Sequence, residues 1–421
     1  MEIGAFIKLH RIEQNMTQEE LAKGIVSMSY LSKIENGRTE ASSEVISMLC
    51  TRLGIHLDNE DEARIQEMCA KWYDLLFEVQ DQAEIIRIHD EIQALIDKAH
   101  SRHWIMFQIH RIRYFLVLGE HKAALEQINK LTEIANSFNT LQQYYWYKFK
   151  GNYRSLNNEP NEALRMYKLA KGLLNQLDLT EEGVAELQYA IAVTYSKLRH
   201  TLEAIEYANK ALQTFMKKYN FIRCAECHII LGISYRRIRM YQKALENYNL
   251  AKYLGDLSKN QEIIQLANHN LAYFHSVMGK NQEAVKNFIK VAEDPSINLH
   301  TRLPAITSLI KEFYEMKEYQ QARKVIKQGL ELLEVTKNNE SYKLYYFIIY
   351  TYKYALEENE EKFLSLMKEE FIPYLIEQED YVNLAIYHTM IANYFEERRK
   401  YKDAVYYLKQ ANNAYKELTN I

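Results

Sequence analysis

Residues 231–251, LGISYRRIRMYQKALENYNLA, have the pattern of a helical hairpin in which a short turn joins two antiparallel helices. Gly232 and Tyr235 lie about one turn apart on the first helix. Ala244 and Tyr248 share one face of the second helix, where the small side chain of Ala244 lets the two backbones approach closely. This stretch predicts one unit of a helical repeat.

The position of Ala244 in this hairpin recurs along the chain at intervals of 38 to 41 residues. The corresponding residues are Ala124, Ala163, Ala204, Ala244, Ala284, Ala322, Phe363 and Ala404. A spacing of this kind is typical of a solenoid, because each hairpin buries its apolar face only by stacking on its neighbours. We therefore expect an all-α fold with a right-handed, tetratricopeptide-like superhelix of about nine helix pairs in residues 63–421. The eighth pair, with Phe363 in place of alanine, departs most from the pattern.

The composition agrees with a helical, non-membrane protein. The 421 residues include only 12 Gly and 4 Pro, and no apolar run approaches the ~20 residues that span a bilayer. Residues 1–15 carry charges throughout, so they do not have the pattern of a signal peptide, and four cysteines are too few for a disulfide framework. These features predict a cytoplasmic protein with reduced thiols.

Residues 1–56 lack the repeat and form a separate helical domain, which we call the head. Thr17 and Glu20 have the spacing of a capping box, Ser27 has the position of a second cap, and Asn36 followed by Gly37 ends the third helix. The expected helices are 3–15, 17–25, 27–35 and 43–53. Two short helices joined by a tight turn are the arrangement that places a helix in the DNA major groove.

The segments TQEELA, SYLSKIENG and SSEVISMLCTRLGI resemble the lambdoid-repressor class of helix-turn-helix domains. The resemblance implies that Met28, Ser29 and Lys33 contact bases. It also implies that Gln18, Asn36 and Arg38 contact phosphates. The alternative is that the head only caps the solenoid.

The head has six Lys or Arg against seven acidic residues, so a single copy should bind the DNA backbone weakly. Two heads on a palindromic operator would bind more tightly, and we therefore expect a homodimer or a higher homo-oligomer.

After an acidic joint at residues 57–62, the first helix of each repeat is expected to line a concave surface. A helical wheel places these residues there: Arg113, Lys148, Asn152, Ile229, Ile233, Arg236, His269, Asn270, Tyr273, Lys311 and Asn393. An asparagine amide can bond to the backbone of an extended peptide, and Lys148 with Arg113 would suit a carboxylate. We call this set the predicted peptide groove.

A helix-turn-helix head followed by nine such pairs resembles the peptide-pheromone receptors grouped as Rap, NprR, PlcR and PrgX. The resemblance implies a quorum-sensing transcription regulator that binds a short intracellular signalling peptide and thereby changes its binding to operator DNA. It also leaves an alternative open, in which the peptide-free array sequesters a sporulation phosphorelay response regulator.

No phosphate loop, nucleophile motif or metal-ligand spacing occurs, so we expect no enzymatic activity, cofactor or metal. Residues 224–228, CAECH, match a haem-attachment motif. They are expected to open a repeat helix instead, with a regulatory thiol pair as the less favoured alternative.

Overall fold

The computed structural model describes residues 2–54, 62–78, 82–96, 101, 103–336 and 340–419, and its regular elements within those ranges are all helical. The head consists of α1 (Glu2–Glu13), α2 (Gln18–Ala22), α3 (Met28–Glu35) and α4 (Ser43–Arg52). The predicted caps are confirmed. Thr17 and Glu20 form a reciprocal capping box on α2, and the Ser27 hydroxyl accepts a bond from the backbone N–H of Tyr30.

The helices of the array follow one another along the chain in nine successive twos, in line with the predicted repeat count. In chain order they are α5 (Glu62–Glu78) and α6 (Gln82–Ile96), α7 (Trp104–Val117) and α8 (His121–Thr132), α9 (Thr140–Leu156) and α10 (Pro160–Gly172), α11 (Glu181–Lys197) and α12 (Thr201–Lys217), α13 (Phe221–Arg237) and α14 (Tyr241–Leu257), α15 (Gln261–Val277) and α16 (Asn281–Ala292), α17 (Leu299–Glu315) and α18 (Tyr319–Val335), α19 (Lys343–Leu356) and α20 (Glu360–Ser365) with α21 (Ile372–Glu377), and α22 (Tyr381–Glu397) and α23 (Tyr401–Thr419).

The chain divides into two compact units, Met1–Leu198 and Arg199–Ile421. In the first unit the head and the early repeats share one core, because Phe6 of α1 meets Trp104 of α7 edge to face, with ring centroids 5.4 Å apart. Lys8 Nζ also donates to the carbonyl oxygen of Glu133, at 3.0 Å. Of the predicted joint at 57–62, residues 57–61 lie outside the described ranges.

The hairpins are closed by a left-handed turn residue and by a close helix contact. Arg239, between α13 and α14, has φ of 61°, and the next backbone N–H bonds back to the carbonyl of Tyr235. Tyr248 is fully buried, and a Cβ added to Gly232 would lie 2.5 Å from its ring. The helices can approach this closely only because Gly232 has no side chain.

The eighth pair departs from the pattern as expected. Its second helix is interrupted by a π-helical segment, Leu366–Phe371, and Phe363 is buried where other pairs bury alanine. Pro373 lies two residues after this segment. It has no backbone N–H to continue the α-helical bonds, which accounts for the irregular turn before it.

Gly232→Ala should lower the free energy of unfolding by about 1–3 kcal/mol, because the new methyl group must displace the Tyr248 ring. Gly172→Ala is the matched control, since no atom lies within 4 Å of the added Cβ at that helical glycine. The control should be neutral or stabilising by about 0.5–1 kcal/mol. Urea denaturation of both variants is the measurement, and equal effects would contradict the proposed contact.

Candidate functional site

The third helix of the head presents an exposed surface. Met28, Ser29 and Lys33 are exposed on α3, and Arg38 is exposed just beyond its end. Met28 is 56% exposed, which leaves its side chain available to a partner. These four residues can reach a ligand without rearrangement of the head.

A buried carboxylate fixes the position of α3. Glu35 is 1% exposed and accepts hydrogen bonds from Arg11 Nε (2.7 Å), Arg11 Nη2 (3.0 Å) and Gln18 Nε2 (2.6 Å). A buried charge is tolerated only when it is paired and hydrogen-bonded in this way. The network therefore joins α1, α2 and α3, and the side chain of Gln18 is engaged inside the head.

Asn36 is exposed, but its amide is also partly engaged. Its Nδ2 donates to the carbonyl oxygen of Ser32 at 2.7 Å, and Lys8 Nζ lies 3.5 Å from its Oδ1. This bond ends α3 and fixes the orientation of the amide. Of the six residues predicted to contact DNA, Gln18 and Asn36 thus also stabilise the head itself.

In the first unit, the predicted groove residues are more buried than the helical wheel indicated. Lys148 is 3% exposed, and its ammonium lies 4.7 Å from the centroid of the Phe77 ring. Arg113 Nε donates to the carbonyl oxygen of Leu76, at 3.2 Å. Lys148 in this structure contacts aromatic rings, so the expected cationic surface for a carboxylate is not exposed at this position.

Asn152, also in the first unit, is half-buried and accepts a hydrogen bond from the Tyr167 hydroxyl at 2.8 Å. Arg113 lies close enough to oppose the rise that burial causes in the pKa of Tyr167. Asn152, Tyr167 and Arg113 therefore form one polar cluster between α9, α10 and the preceding pair.

In the second unit, the apolar groove residues belong to the core. Ile229 is 5% exposed and clusters with Ala251 and Ile263, and Ile233 is half-buried beside the same cluster. Ile229 therefore packs one repeat against the next and does not form an exposed groove floor. The helical wheel gave the direction of the Ile229 side chain from its helix axis. It could not show that the neighbouring helix pair covers this side chain.

His269 and Asn270 are half-buried on α15. Burial lowers the pKa of His269 to about 4, so its ring is neutral at pH 7, and the ring packs against Phe288. Asn270 Nδ2 donates to the carbonyl oxygen of Leu266 at 2.9 Å, and among the described residues no donor bonds to its Oδ1. Asn270 thus retains the atom that an extended peptide N–H would need.

Lys311 and Asn393 are the remaining predicted groove residues of the second unit. Lys311 Nζ lies 3.8 Å from the Glu315 carboxylate on its own helix. Asn393 is exposed and lines a cavity of about 310 Å³ with Tyr394 and Arg398. Of the two, Asn393 borders a space that a ligand could enter.

Arg236 and Tyr273 are brought together, with the guanidinium carbon 4.4 Å from the ring centroid. Two further arginines lie close to Arg236, namely Arg237 on the same helix and Arg199 in the turn before α12. Burial lowers the pKa of Arg237 and of Arg199, and the nearby charge of Arg236 lowers both further. Arg199 was missed by the sequence analysis, because it lies in a turn with φ of 62° and outside the wheel of any first helix.

The CAECH segment opens α13, as predicted, and its side chains pack. Cys224 and Cys227 are buried, and burial raises the pKa of the Cys224 thiol to about 11. His228 Nδ1 lies 2.8 Å from Asn247 Oδ1 on α14. A neutral, buried thiol is a poor nucleophile, which argues against the regulatory thiol pair.

Within the described ranges, no cluster of three or more His, Cys, Asp or Glu side chains could hold a metal ion. No helix in the same part of the chain is long and apolar enough to cross a membrane.

The fold and the exposed α3 surface define a class of protein, namely a DNA-binding regulator in which a helix-turn-helix head precedes tetratricopeptide-like repeats. A helix-turn-helix family model (HTH_3) matches residues 7–59. The chain is 33% identical over 409 residues to the transcriptional activator NprA of Geobacillus stearothermophilus, which covers 95% of this chain and 100% of that protein.

Two solved structures share the fold, each at 18% sequence identity. A Rap protein complexed with competence and sporulation factor matches with a TM-score of 0.73 over 85% of this chain and 99% of that chain. NprR in complex with its cognate peptide NprX matches with a TM-score of 0.65 over 86% and 98%. The chain therefore belongs to the Rap, NprR, PlcR and PrgX family of regulators, with a lambdoid-repressor-like head.

Proposed function

We propose that this chain is a quorum-sensing transcription regulator whose head binds operator DNA and whose repeats bind a short signalling peptide, so that the peptide switches DNA binding. The observation that carries the proposal is the exposed α3 surface on a chain that aligns over 95% of its length with a transcriptional activator. We assign it no enzymatic role, because the side chains of both candidate surfaces have the chemistry of binding.

The DNA-binding surface consists of Ser29 and Lys33 as base-reading residues, with Met28 beside them and Arg38 against the phosphates. Lys33 is exposed one turn after Ser29 and can reach guanine acceptors in the major groove. Gln18 and Asn36 would bond to phosphates only through the polar hydrogens that their bonds within the head leave unused. Their main contribution is to hold α3 in position.

Lys33→Ala should weaken binding to the specific operator by about 1–3 kcal/mol and relax the preference at one base position. Arg38→Ala is the matched comparison and should weaken binding to specific and scrambled duplexes alike. Mobility shifts on both duplexes at one salt concentration measure the difference. Equal losses on the two duplexes for Lys33→Ala would exclude a base-reading role.

We propose that the chain binds DNA as a homodimer, with α23 contributing the contact. Four apolar or aromatic side chains of α23 are exposed by 46–60%, at spacings of four, three and seven residues: Tyr401, Val405, Leu408 and Tyr415. That spacing places the four side chains on one face of the helix, as in helices that associate through an apolar stripe. A second copy of the chain would cover this stripe. It would also bring a second head to the operator, because one head alone binds the DNA backbone weakly.

Leu408→Glu should shift the chain toward monomer, because a carboxylate would enter the apolar contact. Asn413→Glu is the control, since it adds the same charge to an exposed position of α23 outside the stripe. Sedimentation velocity on both variants is the measurement. A dimer that persists in Leu408→Glu, or that is lost equally in Asn413→Glu, would exclude this contact.

For the peptide, we propose that Asn270 and Asn152 bond to its backbone through the atoms that their internal bonds leave unused. Asn270 can accept a peptide N–H at Oδ1, and Asn152 can donate from Nδ2 to a peptide carbonyl. An amide held in place by one internal bond is already oriented for the next, which lowers the entropy lost on binding.

Mass spectrometry of the full-length chain purified from its native cell should detect a bound short peptide. Asn270→Ala and Asn152→Ala should each weaken that peptide by about 1–3 kcal/mol in calorimetry, because a peptide amide is left unpaired. Asn287→Ala is the control, since half-buried Asn287 makes the same bond to its own helix on α16. Unchanged affinity in both groove variants would place the peptide elsewhere.

The second candidate function is sequestration of a response-regulator protein by the peptide-free array. The fold shared with a Rap protein favours it. Sequestration by the repeats does not need the recognition helix, so it should survive Lys33→Ala, whereas operator binding should not.

A further inference from the structure

The first helix of the head, α1, is joined tightly to the recognition helix α3. A Cβ added to Gly4 would lie 1.9 Å from the carbonyl oxygen of Ile34, so the two helix backbones are in direct contact. The buried ion pair between Arg11 Nε and Glu35 joins the same two helices at 2.7 Å. Separating α1 from α3 would leave the Glu35 charge buried and unpaired, which is costly. The two helices therefore move together.

The opposite side of α1 is joined to the array by an aromatic contact. The rings of Phe6 and Trp104 meet edge to face, and the ring of His10 lies 5.5 Å from the same indole. Phe6 is 5% exposed and Trp104 is 4% exposed, so this contact excludes water. Burial of two large rings is a favourable contribution that is lost when the head leaves the array.

Lys8 connects both sides of α1. Its ammonium donates to the carbonyl oxygen of Glu133, the residue after α8, and lies 3.5 Å from Asn36 Oδ1 at the end of α3. A cation at the C-terminus of a helix satisfies a free carbonyl group and interacts favourably with the helix dipole. A single side chain thus contacts the array and the end of the recognition helix.

These contacts leave the DNA-binding surface open. Met28, Ser29 and Lys33 on α3 are exposed while α1 is packed on the array, and Arg38 is exposed as well. The array therefore holds the head from the side of α1 and does not cover the residues that would read DNA. The contact has the geometry of a support for α3 and not of a block.

We infer that α1 is a positioning element, and that Phe6, Lys8 and Trp104 determine which half-site spacing the chain accepts by fixing α3 on the array. The inference rests on the proposed DNA-binding function of a homodimer. The groove turns once in about 10 bp, so two rigidly held recognition helices can reach only half-sites at a matching distance and on a matching face. A loosely tethered head would accept many spacings.

The first test measures the position of the head on the array without DNA. Ser47→Cys on α4 and Glu126→Cys on α8 give two exposed sites for nitroxide labels, whereas the native cysteines are buried. Double electron–electron resonance then gives the distribution of distances between the labels, and dilution with unlabelled chain restricts it to one chain. The chain with all contacts of α1 intact should give a single narrow maximum.

Lys8→Met should remove that maximum and give a broad distribution, because the head loses its bond to the end of α8. Lys23→Met is the matched control. It removes the same charge from an exposed position of the head whose side chain has no described contact with the array, and it should leave the maximum in place.

Trp104→Leu and Trp146→Leu form a second matched pair on the array side. Both tryptophans are 4% exposed, but Trp104 contacts Phe6 of the head whereas Trp146 packs on Phe138 of the array. Trp104→Leu should broaden the distribution and Trp146→Leu should not. Circular dichroism of all four variants checks that they are folded.

The second test uses a duplex selected from a random-sequence pool with the unmodified chain. Insertion of about 5 bp, half a helical turn, between its half-sites should weaken binding of the unmodified chain about a hundredfold, because one head loses its site. The same insertion should weaken binding of Lys8→Met about tenfold or less, since a loosely held head can turn to reach its half-site. Using the ratio of the two affinities cancels any uniform loss of phosphate attraction.

Three results contradict the inference: a broad label distribution in the unmodified chain, a narrow one in both Lys8→Met and Trp104→Leu, or equal broadening in these variants and their controls. An equal loss on insertion for Lys8→Met and Lys23→Met excludes the role in spacing. If the pool yields no bound duplex, the proposed DNA binding fails, whereas the label measurement still decides whether α1 holds the head.

Discussion

The packing of a tyrosine ring onto a bare glycine backbone sets the geometry of a hairpin. Tyr248 is fully buried against Gly232, and Tyr167 lies in the same relation to Gly151 in the third pair. Once the two helices are this close, their remaining apolar faces can be buried only against the neighbouring pair. Asn152 directly follows Gly151, and Arg236 lies four residues after Gly232. The positions of both side chains therefore depend on this contact.

Much of the architecture could be predicted because its causes are local or periodic. Caps at Thr17 and Ser27 depend on residues three positions apart, and the buried alanines such as Ala244 recur with the repeat. The repeat count and the irregular eighth pair follow from the same spacing. These features can be predicted without knowing which side chains of other repeats lie nearby.

The candidate sites were harder to predict, because they depend on contacts between distant residues. Glu35 pairs with Arg11 across 24 positions, and no local pattern marks that partnership. Lys148 has a groove position on the helical wheel, but Phe77 of another repeat covers it. Arg199 lies in a turn with left-handed backbone, where a wheel assigns no direction. A wheel describes a helix in isolation, whereas exposure depends on its neighbours.

The π-helical segment Leu366–Phe371 indicates that this helix contains an inserted residue. The hydrogen bond of a π-helical turn spans one more residue than that of an α-helical turn. A helix can therefore accommodate an inserted residue as a π-helical segment without forming a loop. Phe363 before the segment and Leu375 after it are both buried, so the later side chains keep their orientation. Alignments of related arrays should therefore allow a one-residue gap inside this helix as well as in the turns.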